Sequence, residues 1–243
     1  MPHRRVEIAL ALDTPPEEAY IWIERTADFV DVFKIPPWNF YGHGAALTVA
    51  AHKHGRKVFA DLKLHDIPNT VANSVGDLAD RGVDYATVHL AGGPRMLADA
   101  QRAAGKNLTL LGVTLLTSLD ADDVHRLFGG ISKDQYVQNL VRAGNESGIR
   151  GFVCSPPDIA SLKETLKRDG DRHPEAGSQS PRGFFVCPGI RLEGQDAGDQ
   201  KRVATPLQAA ALGANMLVLG RAILQHPKPE AALKSLRARL SRP

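Results

Sequence analysis

Short apolar runs rich in strand-forming residues alternate along this chain with amphipathic stretches. The runs predict strands at Val6–Leu12, Val30–Ile35, Lys57–Lys63, Asp84–His89, Leu108–Leu115, Gly151–Cys154, Phe184–Cys187 and Met216–Leu219. The amphipathic stretches predict helices that include Glu17–Ala27, Ala45–His54, Asn69–Arg81, Gln135–Ser147, Ile159–Lys167 and Leu207–Leu212. The intervals are about 20 to 35 residues, which is the size of a βα unit rather than of a hairpin.

Eight strands that alternate with helices predict an α/β fold, a (β/α)8 TIM barrel that forms a single domain over residues 1–243. The alternative is an open doubly wound sheet, which usually carries a glycine-rich fingerprint after its first strand. Here the first strand ends in Leu-Asp-Thr-Pro-Pro at 12–16, so the barrel is favoured. The polar stretch at 168–183 lacks periodicity and is interpreted as a solvated loop insertion.

Composition excludes several classes of protein. The chain is 43% apolar and 23% charged with a net charge of +3, which is typical of a globular protein and gives no reason to expect nucleic acid or a membrane as a partner. Cys154 and Cys187 are too few for a disulfide scaffold, and we expect a reducing, cytoplasmic location without a secretory signal. Cys/His clusters and HExxH motifs are absent from the sequence, so no metal site is expected.

Charged residues stand where the first three predicted strands end. In a barrel these positions line the reaction site. They are Asp13, Lys34, Asp61 and Lys63. Asp61 and Lys63 lie two residues apart, so strand periodicity directs both to the same side. Inward charges are costly unless they pair, and the alternating signs allow lateral pairing between neighbouring strands. The alternative is a set of strand ends whose charges face solvent.

The segment after Lys63 allows two interpretations. Pro68 is well placed to open a helix, with Thr70 in its first turn. Asp66 then fits the role of a helix N-terminal acid, which is compatible with a catalytic role, so the pattern alone does not decide.

Two later strand ends predict a phosphate site. Each supplies a glycine followed by an arginine: Gly189 and Arg191 after the seventh strand, Gly220 and Arg221 after the eighth. Barrels often hold phosphate at these loops, and the guanidinium fork suits its oxygens. The polar stretch Leu192–Gln200 between them is a candidate lid.

The segment Phe59–Thr70, which reads FADLKLHDIPNT, closely resembles the signature of the orotidine 5′-phosphate decarboxylase family, class I of bacterial type. The resemblance runs over about residues 6–225, through ALD at 11–13, GVTLLTS at 112–118, PGIR at 188–191, GDQ at 198–200 and GR at 220–221. It implies cofactor-free decarboxylation of a nucleotide, orotidine 5′-phosphate, to UMP. It also implies a homodimer with shared active sites.

The resemblance also implies roles for individual residues. Lys63 matches the lysine that protonates C6 of the pyrimidine, and Asp61 matches the aspartate beside the substrate carboxylate. Lys34 matches the lysine that bridges this acid and the ribose, while Asp66 and Thr70 match residues donated across the subunit interface. The remaining substrate contacts are Asp13 to the ribose, Thr117 to the base, and Arg191, Gln200, Gly220 and Arg221 to the phosphate.

This chain departs from the family at one place, and several other functions stay open. After Lys34 the family continues with a Val-Gly-x-Glu-Leu-like run, whereas this chain has Ile-Pro-Pro-Trp-Asn-Phe at 35–40. The alternatives are a metal-dependent hexulose-phosphate synthase or keto-gulonate-phosphate decarboxylase, a Schiff-base aldolase that uses Lys63, and a nucleotide-binding protein without activity.

Overall fold

Eight parallel strands close into a barrel in the computed structural model, which describes residues 5–172, 183–192 and 204–241. The strands are β1 Glu7–Ala11, β2 Val32–Ile35, β3 Lys57–Leu64, β4 Tyr85–His89, β5 Thr109–Val113, β6 Gly151–Val153, β7 Phe184–Cys187 and β8 Met216–Leu219. Each strand pairs with the next, and β8 pairs with β1. The predicted (β/α)8 barrel is therefore confirmed, and the open doubly wound sheet is wrong.

Helices connect the strands and surround the barrel. They are α1 Pro16–Thr26, α2 Pro37–Lys53, α3 Pro68–Asp80, α4 Gly93–Ala104, α5 Ala121–Leu127, α6 Lys133–Glu146, α7 Ile159–Arg172, α8 Pro206–Leu212, α9 Arg221–Leu224 and α10 Pro229–Leu240. In the described part of the chain, no helix has the length and apolar character that crossing a membrane requires.

Two predicted boundaries need correction. Helix α2 begins at Pro37 rather than Ala45. The predicted start is too late because the exposed apolar residues Trp38 and Tyr41 in the first turns obscure the amphipathic pattern. The segment predicted as a loop at 168–183 continues helix α7 as far as Arg172. Arg168 extends this helix through an ion pair with Glu164 at 3.0 Å, one helical turn away. Residues 173–182 lie outside the described residues.

Strand alternation divides the core into two layers. Side chains at alternate positions fill the barrel interior, among them Ala9, Ala11, Val32, Phe59, Tyr85, Leu111, Val186, Met216 and Val218. Their neighbours, such as Leu10, Phe33 and Phe185, pack between the sheet and the helices. The same alternation continues to the carboxyl ends of the strands, where the inward-facing residues lie at the mouth of the barrel. Active sites of this fold lie at that end.

The opposite end of the barrel is closed by a polar cluster of Glu7, Lys57 and Tyr85. Lys57 Nζ lies 2.7 Å from Glu7 Oε1 and 3.0 Å from the Tyr85 hydroxyl, which donates to Glu7 Oε2 at 3.0 Å. Partial burial acts to lower the pKa of Lys57, but the hydrogen bonds and charge of Glu7 and Tyr85 outweigh it and raise that pKa. The cluster satisfies polar groups at the end of the barrel that is remote from the strand carboxyl ends.

Replacing Tyr85 by Phe tests this structural role. The variant keeps the ring and the Glu7–Lys57 ion pair but loses the bridging hydroxyl, so we expect the free energy of unfolding to fall by about 1 kcal/mol. Catalytic parameters should not change, because the cluster lies at the end remote from the mouth. Urea denaturation and steady-state kinetics measure the two effects, and unchanged stability or a large loss of turnover would contradict this assignment.

Candidate active site

The four charged residues predicted at the strand ends meet as one alternating chain at the mouth of the barrel. Lys34 Nζ lies 3.3 Å from Asp13 Oδ1 and 3.3 Å from Asp61 Oδ2, and Lys63 Nζ lies 2.9 Å from Asp61 Oδ1. Lys34 faces inward because Val32, two residues before it, belongs to the barrel interior, whereas Phe33 and Ile35 pack outside. Acid and base therefore pair laterally, as the alternating signs predict.

Asp61 occupies the centre of this network. Its side chain is only 14% exposed and receives hydrogen bonds from both lysines. Burial acts to raise the pKa of Asp61, but the charges of Lys34 and Lys63, together with hydrogen bonds from Lys63 and Thr87, outweigh it and lower that pKa. Asp61 is consequently a carboxylate at neutral pH, held between two ammonium groups.

A local irregularity of β3 brings Lys63 to this position. The pairing of β3 with β4 shifts between Ala60 and Leu64, so that three residues of β3 stand opposite Thr87 alone. Within this bulge Lys63 has a φ of 50°, the one positive value among the described non-glycine residues. Such a conformation costs of order 1 kcal/mol and persists only where its surroundings hold it.

Thr87 holds the bulge and is a site residue that the sequence analysis missed. Its buried hydroxyl accepts the backbone N–H of Lys63 at 2.8 Å and donates to Asp61 Oδ1 at 3.1 Å. One side chain thus fixes both the strained backbone and the carboxylate. The sequence signal that identifies Thr87 is a polar residue at an inward-facing position in the middle of β4.

A pair of histidines flanks the same mouth. The rings of His65 and His89 have centroids 5.4 Å apart. Burial lowers the pKa of His89, and the neighbouring His65 and Lys63 lower it further. These surroundings favour the neutral imidazole of His89, whose ring plane is tilted by 35° relative to that of His65.

The phosphate residues predicted after β7 and β8 stand at the same end of the barrel. Gly189 has a φ of 77°, a conformation that favours glycine, in the turn that leads to Arg191. Gly220 follows β8 and lies against Asp13, because a Cβ at this glycine would approach Asp13 Oδ2 to 3.3 Å. Arg191 is partly buried and Arg221 is exposed at the start of α9. Gln200 and the rest of the candidate lid after Leu192 lie outside the described residues.

The remaining predicted residues lie around the mouth without joining the charged chain. Thr117 is half-buried in the segment after β5. Asp66 and Thr70 are exposed, and Pro68 opens α3 as predicted. Among the hydrogen bonds of the described residues, the Asp66 side chain accepts the N–H of the next residue, Ile67, at 2.6 Å. Among the described residues, no hydrogen bond or ion pair joins Asp66 to Asp61 or Lys63.

This fold and site define a (β/α)8-barrel enzyme with a charged site at the carboxyl ends of its strands. The model of the orotidine 5′-phosphate decarboxylase / HUMPS family matches residues 7–236. The curated orotidine 5′-phosphate decarboxylases of Erythrobacter litoralis and Sphingopyxis alaskensis are each 38% identical to the chain, over 96% of its length and 98% of theirs. The chain therefore belongs to the orotidine 5′-phosphate decarboxylase family and is a carboxy-lyase.

A solved structure agrees with this assignment. The crystal structure of orotidine 5′-phosphate decarboxylase from Lactobacillus acidophilus matches with a TM-score of 0.76 and 31% sequence identity. The match covers 98% of this chain and all of that one. The closed barrel described here is thus the fold of that relative.

Replacing Thr87 by Val tests whether its hydroxyl organises the site. The variant keeps the shape of the side chain but removes the acceptor for the Lys63 N–H and the donor to Asp61, so we expect kcat to fall about tenfold, as for one hydrogen bond to a charged group. Thr87→Ser retains the hydroxyl and is the matched control, with a kcat within about twofold of wild type. Equal losses in the two variants, measured by steady-state kinetics, would show that the hydroxyl is not the cause.

Proposed function

We propose that the protein decarboxylates orotidine 5′-phosphate to UMP in de novo pyrimidine biosynthesis, without a cofactor. The observation that carries this proposal is the buried Asp61 carboxylate held between Lys34 and Lys63 at the barrel mouth. Membership of the decarboxylase family supports the same reaction. The two free, buried cysteines fit the reducing cytoplasm in which we place the enzyme.

Binding of the nucleotide uses groups around the whole mouth. Asp13 and Lys34 contact the ribose, and Thr117 contacts the base. The phosphate is gripped by Arg191, Gln200, Gly220 and Arg221. Because the phosphate is remote from the reacting carbon, its binding energy can be used to order the charged groups around C6.

Decarboxylation breaks the bond between C6 and the carboxylate carbon. CO2 leaves, and the electron pair stays on C6 as a carbanion without a conventional electron sink. The Lys63 ammonium stabilises this charge and then transfers a proton to C6, after which the neutral amine recovers a proton from water. Asp61 accepts a hydrogen bond from Lys63 and so holds it beside C6, and Asp61 also repels the substrate carboxylate before the bond breaks.

The enzyme acts as a homodimer in which each subunit contributes Asp66 and Thr70 to its partner's site. An exposed apolar surface supports this proposal. Trp38, Tyr41 and Val49 recur on one side of α2 and are 61%, 81% and 56% exposed, and Ile67 beside Asp66 is 66% exposed. The exposed apolar residues on one side of α2 are typical of an interaction surface.

Replacing Lys63 by Ala tests its role in the reaction. We expect kcat to fall by more than about a thousandfold, because the variant lacks both the stabilising charge and the proton donor. UMP should still bind in calorimetry, since the phosphate and ribose contacts remain. The assay follows the loss of ultraviolet absorbance of orotidine 5′-phosphate.

Two controls make this result specific. Lys57→Ala removes a lysine from the other end of the same strand and should leave kcat unchanged. Wild-type turnover in a chelator should also persist, which separates the reaction from a metal-dependent sugar-phosphate relative. Near-normal turnover by Lys63→Ala would contradict the mechanism, and wild-type protein without any loss of absorbance would contradict the function.

Mixing two inactive variants tests the shared site. Lys63→Ala and Asp66→Ala subunits should each give little turnover alone, but a mixed dimer regains one site with both native residues. Random exchange makes half of the dimers mixed with one working site each, so about one quarter of wild-type activity should return. If mixing after subunit exchange restores none of the activity, Asp66 does not act across the interface.

A further inference from the structure

The first turn of helix α2 places a buried amide beside the charged chain. Asn39 is fully buried, and its Nδ2 donates to the carbonyl oxygens of Leu12 at 3.1 Å and Thr14 at 2.8 Å. These are the two residues on either side of Asp13. Both N–H groups of one amide are thus committed to the backbone that carries the Asp13 carboxylate.

The orientation of this amide identifies what it contributes. Asn39 Oδ1 is buried and has no hydrogen-bond partner among the described residues. An unpaired buried carbonyl costs stability. The opposite orientation of the amide would cost more, because it would place Oδ1 against the carbonyl oxygens of Leu12 and Thr14. The two N–H donors are therefore the part of the side chain that the structure uses.

Two neighbours define the position of the Asp13 side chain, which is 37% exposed. On one side its carboxylate pairs with Lys34 at 3.3 Å. On the other side its Oδ2 lies close to Gly220, and a Cβ added at this glycine would be only 3.3 Å from that oxygen. A shift of the Leu12–Thr14 backbone by about 1 Å would separate Asp13 from Lys34, and misplacements of this size have large kinetic effects.

Asn39 belongs to the segment in which this chain differs from the family run that it resembles. Pro36 is extended, and Pro37 takes the first position of α2 immediately after β2. Because proline fixes φ, this pair sets how the helix leaves the Lys34 strand. The same short segment therefore links the position of Lys34 to the loop that carries Asp13.

We propose that Asn39 is a positioning residue that holds the backbone on both sides of Asp13 and so keeps its carboxylate on Lys34. The inference deepens the proposed function, in which Asp13 and Lys34 contact the ribose. Asn39 itself does not touch the substrate and acts through Asp13.

A double-mutant cycle in the full-length enzyme tests whether Asn39 acts through Asp13. In Asn39→Ala, kcat/KM for orotidine 5′-phosphate should fall about tenfold, mainly through KM. In an Asp13→Ala background the same change should lower kcat/KM less than twofold further, because the group being positioned is already absent. A tenfold loss in both backgrounds would show that Asn39 acts on the fold in general and would overturn the proposal.

A second variant controls for lost stability. Thr48 is also buried on α2, and its hydroxyl donates to the carbonyl of Gly44 within the helix at 2.7 Å. Thr48→Val should lower stability without changing KM. If Asn39→Ala is not recovered folded, Asn39→Ser, which keeps one donor, takes its place in the cycle.

Crystal structures of the wild type and the Asn39 variant give the Asp13–Lys34 distance, a measurement that does not depend on the catalysed reaction. In the Asn39 variant we expect the 3.3 Å contact between Asp13 and Lys34 to be lost, and its retention would overturn the proposal. Wild-type enzyme that fails to decarboxylate orotidine 5′-phosphate would instead contradict the proposed function, and the Asp13–Lys34 distance would still decide the role of Asn39.

Discussion

The site depends on one carboxylate removed from water between two ammonium groups. A nearly buried Asp61 would be costly alone, because desolvation opposes its charge. Lys34 and Lys63 offset this cost from two sides, and Lys34 also pairs with Asp13. Since removing Lys34 leaves Asp13 without its partner and removing Asp61 leaves Lys63 without its partner, the chain of charges is best regarded as one unit.

Backbone geometry rather than side-chain chemistry alone brings the charges together. Lys63 lies inside the β3 bulge with a positive φ, and from this backbone position its Nζ reaches Asp61 Oδ1 at 2.9 Å. Thr87 compensates for this irregularity with two hydrogen bonds. The strained residue is also the proposed proton donor, which agrees with the general tendency of strain to persist at functional sites.

The fold and the charged chain were predictable because both follow from periodicity. Buried parallel strands give apolar runs, and strand alternation places Asp61 and Lys63 on one side. Thr87 and Asn39 were not found, because their roles depend on which backbone groups they meet across the sheet, and spacing along the chain does not contain that information. The early start of α2 was missed since Trp38 and Tyr41 place apolar side chains on an exposed surface. The role of Asp66 does not follow from the sequence pattern, because the active site to which it is proposed to contribute belongs to a second subunit.

The position of Lys63 relative to the pyrimidine tests this account most directly. A crystal structure of the wild-type enzyme with UMP would give the distance between Lys63 Nζ and C6, the atom that receives the proton. The account predicts a distance of about 3 Å, with Asp61 still bonded to Lys63 and Lys34, since proton transfer requires such proximity. A complex in which C6 lies far from Lys63, or in which Asp61 has released both lysines, would contradict it.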